Sequence, residues 1–326
     1  MSAKKKRKHH TVSRFYLKRF ANDREIIQRF SLKDLKSHPI SINAASVHRD
    51  FYMLKLEDGS DTDILEDAFG ELEGPAAKAI RQIIECDNWP PTEEQRWAIS
   101  EWVALQHLRT EKQRKWMSEL ADALVKAQIG LSISKEQQKE LAESAPSLLD
   151  PSSYEVTVTA NHHAEHIQRL LARTANTFFH RAWKIMKFKR KTLATGDAPV
   201  LLLPAPNHPP YMGIGLLNAG EVVVPLARKA ALIMGEFEGP DDTLPGSTMA
   251  SKIINQAMIN NARDAIFFHP DDKIIETIEV PPYEETETDI GEQMKELIEA
   301  FAKKEKLTPS DNKPGLATGE GGVAAP

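Results

Sequence analysis

The residues best suited to chemistry begin with two carboxylates on one predicted helix. Glu66 and Glu73 are seven residues apart in a helical pattern over about Ile64 to Cys86, so they share one side of that helix. Two carboxylates held together could bind a divalent cation or share general acid and base roles. A solvated acidic face is the alternative, because three further acidic residues surround the pair: Asp63, Asp67 and Glu71.

A cation interrupts the apolar stripe of the next predicted helix. The pattern predicts one long helix over about Thr92 to Gln128, with Arg109 on its apolar face and Gln106 one turn earlier. A buried charge must be paired. Arg109 is therefore predicted either to form a salt bridge with Glu66 or Glu73, or to project with Gln106 into a polar pocket that binds a substrate.

A short polar turn interrupts the strand pattern of the second half. In the segment Thr195 to Pro199, Asp197 precedes a turn proline and Thr195 lies two residues before it. The Asp197 carboxylate could accept backbone hydrogen bonds in an Asx-turn. Alternatively, the turn delivers Thr195 and Asp197 to a site at the end of a strand.

His162 to His166 reads H-x-x-E-H, the inverted zinc-protease motif. His162 and His166 share a helix face with Arg169 and Arg173, which predicts that the two histidines face solvent. We predict that the match is accidental.

Hydrophobic periodicity predicts an α+β fold. A helical middle section contains the long helix and a helix over Asn161 to His180, and a strand-rich second half follows. The sequence contains no G-x-G-x-x-G or Walker motif, so no motif favours a nucleotide-binding α/β fold. The predicted strands are Glu25 to Phe30 paired with His38 to Val47, Trp183 to Lys189, Leu193 to Leu203, Glu221 to Leu226, Ala231 to Met234 and Ala265 to Phe268.

The same pattern predicts three regions of the chain. Residues 1–8 form a basic flexible arm, and residues 9–304 form a single α+β domain that ends in an acidic helix from Ile290 to Lys304. Residues 305–326 are rich in Gly, Pro and Ala with few apolar anchors, which predicts a disordered C-terminal tail.

Charge is unevenly distributed over the 326 residues. Residues 1–50 carry 13 Lys and Arg against 4 Asp and Glu, whereas residues 236–326 carry 8 against 19. A basic arm attracts phosphate polymers, so nucleic acid is a candidate partner. The arm could equally be a solvated tail or answer acidic residues of the same chain. Its predicted nucleic-acid contacts are Lys4, Lys5, Lys6, Arg7 and Lys8.

Composition excludes several classes of protein. Cys86 is the only cysteine, which excludes a disulfide scaffold and a multi-cysteine metal site. No run approaches the roughly 20 apolar residues of a membrane span, and cations interrupt any signal-peptide pattern. We therefore expect a cytoplasmic protein without membrane contact.

Together, these positions resemble a bacterial family of unknown function, DUF 4238. The resemblance covers about residues 9–270 and rests on His9 to Phe20, Phe51-Tyr52, Leu65-Glu66, Leu72-Glu73, Leu105 to Thr110, Thr195 to Val200, Pro225-Leu226 and Asn255. Two positions depart from the family pattern. Ser13 stands where members usually have proline, which should loosen the opening turn, and Gly196 stands where serine is usual.

The family brings no established activity, substrate or cofactor, but its pattern coincides with the polar residues chosen above, which is consistent with one polar pocket. If the protein is an enzyme, we expect metal-assisted hydrolysis of a phosphodiester, with Glu66, Glu73 and Asp197 as ligands or bases, His10 as acid or base, and Arg109 as a phosphate clamp. The alternative is a non-catalytic module that binds nucleic acid or a protein, in which the same side chains form a buried polar network.

Overall fold

A computed structural model describes residues 5–132, 134–150, 152–209 and 212–283. The predicted acidic helix and C-terminal tail lie outside these residues, as does Lys4. The described part contains helices and several β-sheets, which confirms the α+β fold. Within it, no helix is both long and apolar enough to cross a membrane.

Contacts between residues group the described part of the chain into two compact units. Of the described residues, those up to Ser118 and those from Thr157 onwards form the first unit, and those from Glu119 to Val156 form the second. In the second unit, the backbone N–H of Val156 donates to Asp122 at 2.8 Å, and the Lys126 ammonium lies 5.3 Å from the centroid of the Tyr154 ring. All candidate site residues belong to the first unit.

The helices follow the predicted order, with one break. Their bounds are α1 Arg14–Leu17, continued by a 3-10 turn at Lys18–Phe20, then α2 Ile64–Glu85, α3 Glu93–Leu108, α4 Glu111–Ser132, α5 Lys135–Ser144, α6 Ala160–Phe179 and α7 Thr248–Asn261. The prediction of one long helix over 92–128 is wrong. Helix α3 ends at Leu108, and the Thr110 hydroxyl accepts the N–H of Gln113 at 3.1 Å, which starts a new helix.

The strands of the first unit form two main sheets. Their bounds are β1 Lys8–His10, β2 Ile26–Ser31, β3 Lys36–Ser41, β4 Val47–Arg49, β5 Leu54–Lys55, β6 Asp61–Thr62, β7 Ala182–Lys187, β8 Thr195–Gly196, β9 Leu201–Pro204, β10 Ala219–Ala227, β11 Ala230–Gly235, β12 Asp242–Pro245 and β13 Ala265–Phe268. The larger sheet has the order β12-β7-β11-β10-β9, and the smaller has the order β3-β2-β13-β8. The predicted strand 193–203 is split because residues 197–200 leave the sheet at the polar turn.

The main hydrophobic core lies between these sheets and the helices of the first unit. It buries the aromatic rings of Tyr16, Trp102, Phe178 and Trp183 completely. Tyr16 and Trp102 pack with their ring centroids 5.2 Å apart. The start of the chain is thus held against α3, where the polar side chains of the candidate site also lie.

Candidate functional site

A buried polar network joins the start of the chain to helices α2 and α3. Arg109, only 1% exposed, lies at its centre as the C-cap residue of α3. Its Nε donates to the Thr11 carbonyl at 3.1 Å, and its Nη2 donates to Ser13 Oγ at 2.8 Å and to Gln106 Oε1 at 2.9 Å. Its Nη1 forms an ion pair with Glu73 at 2.8 Å, which confirms the predicted salt bridge. Most of the guanidinium donors are thus engaged inside the protein.

Gln106 and Ser13 complete this network. Gln106 Oε1 accepts the backbone N–H of Ser13 at 3.0 Å, and its Nε2 donates to the Thr11 carbonyl at 3.3 Å. The Ser13 hydroxyl accepts from Trp102 Nε1 at 2.9 Å and lies 2.9 Å from Glu73 Oε1. The expectation that Ser13 loosens the opening turn is therefore wrong, since both its N–H and its hydroxyl fasten the turn to α2 and α3.

His10 and Glu66 lie beside this network, and both side chains are half-buried. The backbone N–H of His10 donates to Glu66 Oε1 at 3.2 Å. The buried Nε2 atom of His10 has no hydrogen-bond partner among the described residues. An unpartnered buried nitrogen costs free energy unless a ligand or water satisfies it. His10 is thus a member of the predicted set whose side chain has a buried polar atom without a partner among the described residues.

The pKa values of these two side chains are shifted in opposite directions. Burial lowers the pKa of His10 below its ordinary value against an opposing backbone hydrogen bond with Asn43, and the charges of Arg14 and Arg109 lower it further. Burial raises the pKa of Glu66 above its ordinary value, against the opposing charges of His9 and Arg109. These shifts bring the two pKa values towards each other.

Thr195 is connected to the network only through Tyr16. Its Oγ1 lies 2.6 Å from the Tyr16 hydroxyl, and both side chains are completely buried. The Tyr16 ring in turn packs against Trp102, which donates to Ser13. Thr195 therefore supports the core beneath the site and does not line it.

Asp197 is placed elsewhere in the first unit. Its Oδ1 accepts the backbone N–H of Arg263 at 2.9 Å, and its Oδ2 accepts those of Asp264 at 2.6 Å and Ala265 at 2.8 Å. These bonds tie the polar turn to the segment between α7 and β13. Both carboxylate oxygens accept from backbone donors, and among the described residues no hydrogen bond or ion pair joins Asp197 to the Arg109 network.

The H-x-x-E-H segment lies in the first two turns of α6, and its outer histidines differ from one another. His162 is exposed, as predicted, whereas His166 is half-buried. His163, between them, is completely buried. Among the described residues, no group of three or more His, Cys, Asp or Glu side chains is arranged to hold a metal ion.

The described part of the basic arm is held by acidic residues of the same unit. Lys6 Nζ pairs with Asp67 at 2.6 Å, and Arg7 pairs with Asp50 through two hydrogen bonds at 2.9 and 2.5 Å. Lys8 begins strand β1, which pairs antiparallel with β4. Much of the arm's positive charge is therefore compensated within the chain.

Sequence analysis missed a second polar group, which contacts the backbone carbonyl of Arg109. The Tyr52 hydroxyl donates to the Arg109 carbonyl at 2.5 Å. His163 Nδ1 accepts from Arg114 Nε at 2.9 Å, and the Arg114 guanidinium lies 3.6 Å from the centroid of the Phe51 ring. The sequence feature that could have indicated this group is the aromatic pair Phe51-Tyr52.

One family matches most of the chain. Its description reads "Protein of unknown function (DUF4238)", and the match covers residues 8–272. The chain belongs to the DUF4238 family. The match confirms the resemblance derived from the motifs, and it spans the network, His10, Glu66 and Asp197. No curated protein and no solved structure matches this DUF4238 chain. Its function is therefore argued from the geometry of the site.

Proposed function

We propose that this DUF4238 protein cleaves RNA, with His10 and Glu66 as the base and acid of a transesterification. The observation that carries the proposal is the buried Nε2 of His10, which has no hydrogen-bond partner among the described residues, on the residue whose backbone N–H donates to the half-buried Glu66 carboxyl group. Proton transfer at Nε2 requires the imidazole to turn towards the substrate. Their opposite pKa shifts support the same assignment, because a neutral histidine accepts a proton and a protonated carboxyl donates one.

The proposed reaction needs no external nucleophile. Neutral His10 takes the proton of a ribose 2′-hydroxyl, and that oxygen attacks the adjacent phosphorus to form a 2′,3′-cyclic phosphate. The bond from phosphorus to the 5′-oxygen breaks, and Glu66 gives its proton to that leaving oxygen. An attacking group within the substrate gains a large effective concentration. This favours RNA over DNA as the phosphodiester.

Arg14 is the residue proposed to contact the reacting phosphate. It is exposed and forms no ion pair among the described residues. Its charge lowers the pKa of His10, which supports a place for it in the same site. Arg109 is the phosphate clamp expected from the sequence. Its guanidinium instead binds groups within the protein, so its proposed role is to hold the site residues in place. Its partners are Thr11, Ser13, Gln106 and Glu73.

The metal-assisted form of the reaction has less support. It requires Glu66, Glu73 and Asp197 as ligands, and both oxygens of Asp197 are bonded to backbone N–H groups. A divalent cation could use Glu66 and Glu73 only with water or substrate oxygens as its other ligands. We therefore expect cleavage to persist in EDTA.

The test is cleavage of an end-labelled RNA oligonucleotide in EDTA by the full-length protein. We expect cleavage by wild type, a 2′,3′-cyclic phosphate product, and no cleavage of the matching DNA. His10→Gln and Glu66→Gln should each lower the rate by about 10²-fold or more. Glu71→Gln and His162→Gln are matched controls, because both side chains are exposed, and should keep the wild-type rate. No cleavage by wild type, or equal rates in all variants, would refute the proposal.

Binding without catalysis is the second candidate, with nucleic acid or a protein as the partner. This candidate is favoured by the hydrogen bonds that Gln106 and Arg109 donate within the protein, because two side chains bonded in this way act only to hold the segment around Thr11 in place. In that case RNA binds uncut, and Glu66→Gln leaves its affinity unchanged. A cytoplasmic location belongs to either proposal, supported by the absence of a second cysteine.

A further inference from the structure

Two neighbouring turns of the larger sheet carry a group of exposed cations. Lys189, Arg190 and Lys191 follow strand β7, and Lys229 lies in the tight turn between β10 and β11. All four side chains are exposed. We call these four residues the basic loop. Sequence patterning presents Lys189 as the end of a strand, whereas β7 ends at Lys187.

Backbone hydrogen bonds hold the two turns together. The N–H of Phe188 donates to the Lys229 carbonyl at 2.9 Å, and the N–H of Leu193 donates to the Arg228 carbonyl at 2.8 Å. Lys229 Nζ donates to the Lys189 carbonyl at 3.3 Å. Phe188 and Leu193, which flank the three consecutive cations, are buried in the core. The cations therefore project from a fixed frame, and a ligand does not have to order the loop.

Within the part of the chain that the structure describes, no carboxylate compensates the charges of the basic loop. None of its four side chains forms an ion pair among the described residues, whereas adjacent Lys187 pairs with Asp87 and adjacent Arg228 pairs with Asp272 at 2.6 Å. The N-terminal arm also differs from the basic loop, because Lys6 and Arg7 each form an ion pair with an aspartate. Free cations release counterions when they meet a polyanion, and paired cations must first lose their partners.

We propose that the basic loop binds the phosphate backbone of single-stranded RNA. The inference rests on the proposed function for the identity of the polymer. An anionic membrane is a poorer fit, because membrane-binding segments add exposed apolar side chains to their cations and the apolar residues here point into the core. Several adjacent cations without a shaped pocket suit a repeating phosphate chain better than one small anion.

Salt dependence gives the size of the expected effect. Each phosphate contact on a single strand contributes about 0.7 to the slope of log K against log salt. Four contacts thus contribute a slope of about 2.8, equivalent to roughly 600-fold in affinity at about 0.1 M salt. Because not every side chain will reach a phosphate, we expect a loss of at least about tenfold when all four charges are removed.

The test measures binding of a fluorescein-labelled 2′-O-methyl RNA by anisotropy over a range of salt concentrations. This probe lacks the 2′-hydroxyl nucleophile, so binding is measured apart from cleavage. The variant replaces the basic loop with glutamine: Lys189→Gln, Arg190→Gln, Lys191→Gln and Lys229→Gln. The matched control removes the same charge from four exposed lysines elsewhere in the first unit: Lys36→Gln, Lys55→Gln, Lys78→Gln and Lys252→Gln. Both variants are compared with wild type in thermal unfolding.

The expected result is a loss of affinity and of salt slope in the basic-loop variant alone. Equal affinity in wild type and this variant, or an equal loss in the control, would overturn the proposal. Displacement of the RNA by polyglutamate at equal charge would also overturn it, in favour of an acidic protein partner. Cleavage of a dinucleotide separates the two proposals: the basic-loop variant should retain it, and its absence in wild type would refute only the proposed reaction.

Discussion

Replacing Arg109 by methionine tests whether the buried network fixes the start of the chain. Methionine has a similar length and no charge, so the change removes the ion pair with Glu73 and the donors to Thr11, Ser13 and Gln106. Removing one partner of a buried ion pair typically costs about 3–5 kcal/mol.

The remaining contacts place the expected loss at the lower end of that range. The Thr11 carbonyl keeps Gln106 Nε2 as a donor, and Gln106 Oε1 keeps the N–H of Ser13. The Glu73 side chain is 24% exposed, so water can partly solvate its carboxylate. We therefore expect Arg109→Met to lower the free energy of unfolding by about 3 kcal/mol.

Urea unfolding of the full-length protein at pH 7 measures this loss. With a slope of about 3 kcal/mol per M, the midpoint should fall by about 1 M. Arg173→Met, on the exposed surface of α6, is the control and should change stability by less than about 0.5 kcal/mol. Adding Glu73→Met to Arg109→Met should recover part of the loss, because an apolar pair replaces an unpaired charge. A loss below about 1 kcal/mol in Arg109→Met would refute the structural role of the network.

Two further predictions concern Tyr52 and His163, which contact the backbone carbonyls of Arg109 and Leu108 at the end of α3. Tyr52→Phe removes the hydrogen bond to the Arg109 carbonyl, so it should lower the free energy of unfolding by about 1–2 kcal/mol in urea unfolding. Tyr154→Phe is the control. The buried hydroxyl of Tyr154 has no partner among the described residues, so this change should not destabilise the protein. Burial lowers the pKa of His163 to about 4, so the unfolded chain takes up a proton first as the pH falls. The free energy of unfolding should therefore decline by on the order of 3 kcal/mol between about pH 6.5 and 4. His163→Gln should reduce this pH dependence. An unchanged pH dependence in His163→Gln would show that His163 does not cause the decline.

The pairing of Arg109 with Glu73 was predictable because a charge on an apolar helix stripe requires a partner, and the preceding helix offers carboxylates at suitable spacing. The break between α3 and α4 was also present in the sequence. Thr110 and Gln113 repeat the pattern of Thr92 and Gln95, which form a capping box at the start of α3. The apolar periodicity continues across the break, and it masked this signal.

The placement of Asp197 and of the basic loop could not be read from local pattern. Asp197 bonds to backbone groups more than 60 residues later, so its role depends on how α7 is followed by β13. Whether a lysine is compensated likewise depends on distant carboxylates. Lys6 meets Asp67, whereas Lys189 meets no carboxylate among the described residues. From composition, the N-terminal arm carries more positive charge than the basic loop. Because Lys6 and Arg7 are paired with aspartates, the basic loop is the more weakly compensated of the two among the described residues.

The pH dependence of RNA cleavage tests the central claim most directly. The reaction needs neutral His10 and protonated Glu66, so the rate should fall below the lowered pKa of His10 and fall again above the raised pKa of Glu66. The account predicts a bell-shaped profile with its maximum on the acidic side of pH 7, and loss of the alkaline limb in Glu66→Gln. A rate that still rises above pH 7, or an alkaline limb that persists in Glu66→Gln, would contradict it.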